Sequence, residues 1–131
     1  MSGETDLAHM LASLDVERRP GRFAFVSSSA GEWPELWQVA EAIVTEAEGR
    51  TYVVDADAAR AAGAPVEFEA AWLTVTVHSA LAAVGLTAAL SRALADAGIA
   101  CNVLAACHHD HLLVPLERAA DAVAVLRSLR S

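Results

Sequence analysis

The run His108-His109-Asp110-His111 gathers the densest chemistry in the chain. Imidazole and carboxylate groups are good ligands for zinc or iron, so the run invites a metal site. In an extended stretch, however, His109 and His111 point one way while His108 and Asp110 point the other. A tight site would need a further ligand from elsewhere, such as His78 or Cys107. A polar hairpin turn is the simpler account, and no resident metal or cofactor is expected. His78-Ser79 offers a base beside a hydroxyl, but adjacent strand residues face opposite sides and no G-x-S-x-G elbow is present. No catalytic residue is assigned, and the chain is expected not to be an enzyme.

A second constellation suits binding rather than catalysis. Val84-Gly85-Leu86-Thr87 marks the entry to a helix, and a glycine there lets the backbone approach a ligand closely. The N–H groups of Leu86, Thr87 and Ala88 would be free at the helix start, where they form a site for a carboxylate. Asn102, on a strand beside that loop, offers both donor and acceptor, as an α-amino and α-carboxylate pair requires. Each feature also has a purely structural account. Gly85 would serve an ordinary strand-to-helix turn, Asn102 would satisfy backbone at a bulge, and His78 would be a partnered histidine at a strand end.

These residues must be placed by the elements around them. Ala71 to His78 alternates, with Leu73, Val75 and Val77 on one face and Trp72, Thr74, Thr76 and His78 on the other, which predicts a strand. Gly85 to Ala97 predicts a helix with the stripe Leu86, Leu90, Ala93, Leu94 and Ala97, ended by Gly98 as a C-terminal cap. Ile99 to Ala106 is apolar on both faces, as a central strand would be. His108-His109-Asp110 turns the chain into a strand over His111 to Val114. After Pro115 a last helix runs to Leu129, with the stripe Ala119, Ala122, Val123, Leu126 and Leu129. The order is β-α-β-β-α, and a right-handed crossover puts both helices on one face of a mainly antiparallel sheet, the ferredoxin-like layout.

The first half looks like a worn copy of this order. Thr5 to Leu14 has the spacing of a short amphipathic helix, and Arg18 to Gly21 reads as a turn. A strand follows over Arg22 to Ser27, then a loop over Ser28 to Pro34. Leu36 to Thr45 reads as a strand or a short helix, with the strand slightly ahead. Glu48-Gly49-Arg50 forms a hairpin turn before a strand over Thr51 to Val54, and a short helix from Asp55 stops at Gly63. The expected division is a shortened unit over 1–65 and a fuller one over 66–131. The last strand of the second unit has three possible sources: residues 64–70, the first repeat, or another chain.

Composition narrows the function. The 131 residues carry a formal charge of −8, and all nine basic residues are Arg. An acidic chain repels phosphate backbones, so nucleic acid is not an expected partner. Without Lys, Schiff-base and P-loop lysine chemistry are excluded. The N-terminus is acidic with no apolar h-region, no apolar run is long enough to span a bilayer, and no polybasic cluster addresses a membrane surface. Cys101 and Cys107, six residues apart, would lie roughly 20 Å apart on a continuous strand and could not bridge. The expectation is a reduced, cytoplasmic protein. Thirty residues are Ala, so the core must come from Leu, Val, Ile, Phe and Trp. Trp33, Trp37 and Trp72 are read as core or interface anchors, with Trp72 placed at a dimer seam.

Residues 72–115 carry a resemblance. TVHSALAAVGLTAAL, the AGIACNV turn and strand, and the return strand HDHLLVP resemble the C-terminal ACT domain of small, stand-alone tandem-ACT proteins. The stretch from TDLAHMLASLDVERRPGRFAFVS to YVVD resembles their first, shortened repeat more loosely. Related regulatory arms of aspartate kinases carry a V-G-V loop entering the first helix and a G-I-N-[IV] stretch opening the next strand. Here the matching residues are Val84-Gly85-Leu86 and Gly98-Ile99-Ala100-Cys101-Asn102-Val103. Two residues intervene between Ile99 and Asn102, and HSALAAVGL is longer than the usual aspartate-containing loop.

The resemblance implies an α+β, ferredoxin-like ACT fold with two units whose antiparallel sheets are shared or side by side. It implies a non-catalytic regulatory module that binds an amino acid and acts through a homodimer or a partner protein. His78, Ser79, Val84, Gly85, Leu86, Thr87, Asn102 and Val103 would then contact the ligand. Two alternatives stay open: a ligand-free dimerisation module, and a metal-dependent enzyme built on the His108–His111 turn.

Overall fold

A computed structural model describes residues 6–77 and 83–130. The chain forms two compact units, one continuous over Pro20–Ala70 and one discontinuous, joining the stretch that ends at Arg19 to the chain from Ala71 onward.

In the continuous unit β2 (Phe23–Ser28), β3 (Ala42–Glu46) and β4 (Gly49–Asp55) form an antiparallel sheet with β4 central. The first residues of β5 (Glu69–Thr76) add a further antiparallel rung, Phe23 opposite Ala70 and Ala24 opposite Glu69. Alternation in β2 sends Ala24 and Val26 into a core with Val54 of β4, Leu36, and Ala56 and Ala59 of helix α2 (Ala56–Ala61). The α2 start is set by Asp55, whose side chain accepts from Ala58 N. Its end is closed by Gly63 N donating to Arg60 O and Ala64 N to Ala59 O, both about one hydrogen bond's length away at 3.0 and 2.9 Å. Between β2 and β3, where a βαββα repeat would place its first helix, only one turn of 3-10 helix stands, at Pro34–Leu36. The segment 36–45, read as a strand or a short helix with the strand slightly ahead, is divided between the two: one helical turn, a bend, then β3. Pro34 favours a helical first turn and the apolar spacing after it is too short to sustain one.

The discontinuous unit has the fuller βαββα run: β5, α3 (Leu86–Asp96), β6 (Asn102–Ala105), β7 (Asp110–Pro115), and α4 (Ala119–Arg127) behind a short 3-10 turn. Helix α1 (Leu7–Ala12) and strand β1 (Asp15–Arg18) join it. The strand order is β1-β5-β7-β6. The strand that the run lacks is thus supplied by Asp15–Arg18, antiparallel to β5 with Val16 opposite Val75. Arg127 fastens it by donating from Nη2 to Val16 O at 2.9 Å.

Both long helices and α1 cover one face of this sheet. Met10, Leu86, Leu90, Leu94, Ala122 and Leu126 close over Val16, Leu73, Val75, Leu112 and Val114, all buried. Leu73 and Val75 therefore face the helices and Trp72 the opposite side, the division that alternation predicts. The α3 helix ends in a Schellman turn, with Ile99 N donating to Leu94 O and Gly98 N to Ala95 O, each at 2.9 Å.

One sequence expectation changes here. Ile99–Ala106 is not a central strand: only Asn102–Ala105 pairs, at the end of its unit's strand order. The apolar character of Ile99 serves the helix cap, where it is buried, rather than a sheet face.

Candidate functional site

The carboxyl end of β5, the start of α3 and the β6–β7 hairpin meet around a small cavity of about 90 Å³. Val75 and Val77 form its apolar floor, Leu86 and Thr87 one wall, and Cys107 to Asp110 the rim opposite. Each part has a local cause. β5 is a strand because its β-branched and aromatic residues alternate, so its last inward residues reach this end. The hairpin is drawn closed by Ala106 N donating to His109 O at 3.2 Å.

The α3 start gives the cavity its polarity. Gly85 occupies the N-cap position at φ +99°, and glycine has no side chain with which to cap the helix. The first N–H groups of a helix lack partners within it and carry the positive end of its dipole. The wall at Leu86 and Thr87 thus favours an anionic group. The glycine has a second reason to be there. A Cβ at 85 would stand 3.4 Å from Leu7 Cδ2, so the close approach made here is to the α1 side chain.

The histidines divide by role. His108 and His109 line the cavity. His111 is turned to other partners: its Nδ1 accepts from Trp72 Nε1 at 3.1 Å and lies 3.1 Å from Thr74 Oγ1. Arg19 stands 4.7 Å over the Trp72 ring. Burial, then the charges of His109 and Arg19, push the His111 pKa below the usual imidazole value, and Asp110 opposes them. Ring centroids of His108 and His111 each lie 6.4 Å from that of His109. Among the described residues no three His, Cys, Asp or Glu side chains are placed to hold a metal ion. Cys101 and Cys107 are both free thiols, and burial pushes the Cys101 thiol up.

The residues singled out by sequence separate in space. Leu86 and Thr87 line the cavity, and Gly85 and the exposed Val84 lead into it. Asn102 and Val103 do not line it. They sit at the opposite end of β6, Asn102 exposed and across from Leu113, Val103 packed against the helix-side core. His78 and Ser79 lie outside the described residues. Apart from the metal-site alternative at His108–His111, the hairpin residues 105–110 and the strand residues Val75 and Val77 carry no expectation of lining a site. A sequence shows a turn there, but not that the turn folds back over the helix start. Among the described residues no helix is long and apolar enough to cross a membrane.

Two family models, each described as an ACT domain, match residues 2–71 and 67–128. Among solved structures, a Vibrio cholerae protein of unknown function is 34% identical, with a TM-score of 0.85 over 95% of this chain and 96% of that one. The ligand-free regulatory subunit of Thermus thermophilus aspartate kinase is 13% identical, with a TM-score of 0.67 over 90% and 97%. A Porphyromonas gingivalis aspartate kinase regulatory domain is 16% identical, with a TM-score of 0.59 over 89% and 96%. No curated protein matches the chain.

Proposed function

From the premise that this chain belongs to the ACT-domain proteins, with two such domains in tandem, we propose that it is a regulatory module that binds a free amino acid at the α3 start. The observation that carries this reading is the cavity itself, which joins a helix N-terminus with glycine at its N-cap to an apolar floor. In this reading the ligand carboxylate meets the N–H groups of Leu86 and Thr87, and its side chain lies toward Val75 and Val77. At about 90 Å³ the space is far below the roughly 300–1,000 Å³ of drug-sized sites, which favours a small ligand. Asp110 at the rim is the carboxylate available to an α-ammonium group.

Binding would regulate by favouring one of two arrangements, read out through a homodimer or a partner protein in the cytoplasm, without catalysis by the chain itself. The test is calorimetric titration with each of the twenty amino acids, repeated on Thr87→Glu. Thr87 is exposed, so the variant should fold while placing a carboxylate where the ligand's would go. A saturable heat with one amino acid, lost in the variant, is expected. Binding unchanged in Thr87→Glu would move the site elsewhere, and no binding to any amino acid would leave a ligand-free interaction module.

A further inference from the structure

The continuous unit holds a larger cavity, of about 320 Å³, whose lining is of another kind. Three aromatic rings contribute, those of Phe25, Trp33 and Phe68, together with Ser27, Pro65 and Glu67. Phe25 and Ser27 share a face of β2, two residues apart. The rings of Phe25 and Phe68 stand 6.4 Å apart and are tilted by 44°. The Glu67 side chain is exposed, and among the described residues no hydrogen bond or ion pair engages its carboxylate. Two arginines of the same unit have other carboxylate partners: Arg60 pairs with Glu69 and Arg22 with Asp57.

Trp33 is held in place at a conformational cost. It is the one non-glycine residue at positive φ among those described, with φ 52° and ψ 54°. Bulky residues adopt this region only when their surroundings impose it, and such outliers cluster at ligand sites. Here the imposing structure is visible. The buried Ser28 hydroxyl donates to Glu32 O at 3.0 Å, and the Glu32 carboxylate accepts from Ala30 N at 2.6 Å. Hydrogen bonds from its own and the Ala30 backbone hold the Glu32 carboxyl below its ordinary pKa, so the clasp is ionised at neutral pH. Pro34 fixes the far side of the indole-bearing residue. A loop tied at both ends thus presents one indole to the cavity.

We propose that this cavity is a binding site for a small methylated ammonium cation. Aromatic faces attract a cation through their quadrupole at distances up to about 6 Å, and the Glu67 carboxylate adds a full opposite charge. A primary ammonium would bring three N–H donors, which the Glu67 carboxylate and Ser27 hydroxyl serve incompletely. Methyl groups remove that demand and pack against the rings and Pro65. The volume falls at the lower end of small-molecule sites, near 300 Å³.

The test is titration of the full chain with choline chloride and, separately, with 3,3-dimethylbutan-1-ol, its neutral carbon isostere, followed by calorimetry and tryptophan fluorescence. Choline should bind at least roughly tenfold more tightly than the alcohol, and Glu67→Gln and Phe68→Leu should each weaken it by about three- to thirtyfold. Glu67 is exposed, so the Gln variant keeps the fold, which its melting temperature verifies. Equal affinity for the alcohol would reduce the site to an apolar crevice. No response to choline up to roughly 100 mM, a concentration well above millimolar dissociation constants, would overturn the proposal.

Discussion

The contact between Trp72 and His111 ties the β7 end of the hairpin to β5, and replacing His111 by Leu tests what it is worth. Trp72 is 4% exposed, and its indole N–H can only donate. Its acceptor is His111 Nδ1, which must therefore be unprotonated. His111→Leu removes that acceptor from a buried donor, which costs about 1–3 kcal/mol. Trp72→Phe removes the donor instead and leaves a half-buried imidazole that still has Thr74 beside it. The hydrogen-bond part of that loss should be smaller, about 0.5–1.5 kcal/mol.

The pH dependence follows from the depressed His111 pKa. An unfolded chain takes the proton at the ordinary imidazole value, about 6.5, before the folded one does. The unfolded state therefore binds more protons in this range, and stability rises with pH. The contribution of neutral His111 is complete above about pH 7.5 and declines as pH falls through 6.5 toward the lower folded-state pKa. Carboxylates also titrate below pH 5.5, so the informative quantity is the difference between proteins. Urea melts at pH 7.5 and pH 5.8 should show the wild-type chain losing more stability than His111→Leu. An identical loss in both proteins would refute the assignment of His111 as a neutral acceptor.

Gly49→Ala should destabilise by about 2–5 kcal/mol, because overpacking costs roughly 1–3 and a left-handed alanine roughly 1–2 kcal/mol. The new Cβ would stand 2.3 Å from Ser28 O and 2.7 Å from Ser29 Cα, both backbone, with φ at +139°. Gly31→Ala meets nothing within 4 Å, so its urea midpoint should move much less; equal shifts would contradict the clash. Leu94→Ala empties a site with no exposure at the centre of the helix-side core and should cost about 2–5 kcal/mol by chemical denaturation. Arg127→Ala removes the bond to Val16 O and should cost about 1 kcal/mol while raising amide exchange along β1. Unchanged exchange there would mean that the strand is held without Arg127.

Much of the discontinuous unit is legible in the sequence because its periodicities are long and clean. The β5 alternation, the Leu86-Leu90-Leu94 stripe and the Gly98 stop each state one structure, and the βαββα order follows. β1 is not legible: Asp-Val-Glu-Arg buries a single side chain, Val16, and four residues with three charges give no pattern. Its partner is fixed by β5, some sixty residues away along the chain. The Leu36–Thr45 segment is ambiguous for a related reason, since Trp37, Val39, Ile43 and Val44 are apolar yet exposed. Apolar residues are read as core, and here they mark none.

The candidate site is half legible for reasons of geometry. Leu86 and Thr87 could be found because a glycine before a helix stripe announces exposed N–H groups. Asn102 is compatible chemistry at the wrong end of a strand: at about 3.3 Å per residue, the length of β6 separates it from Ala105 at the cavity. Conversely, His108 and His109 read as metal ligands or as a bare turn, and only the fold shows them facing the α3 start. Trp33 gave no sign of its left-handed backbone, which depends on hydrogen bonds made by Ser28 and Glu32.

Ligand binding at the α3 start is tested by a ¹H–¹⁵N correlation titration with the twenty amino acids, following the backbone amides of Leu86, Thr87 and Ala88. A carboxylate held at the α3 start should shift these three resonances saturably, together with those of Cys107 to Asp110 across the cavity. Saturable shifts confined to other parts of the chain, or none with any amino acid, would contradict the claim that this helix start is where the module senses its ligand.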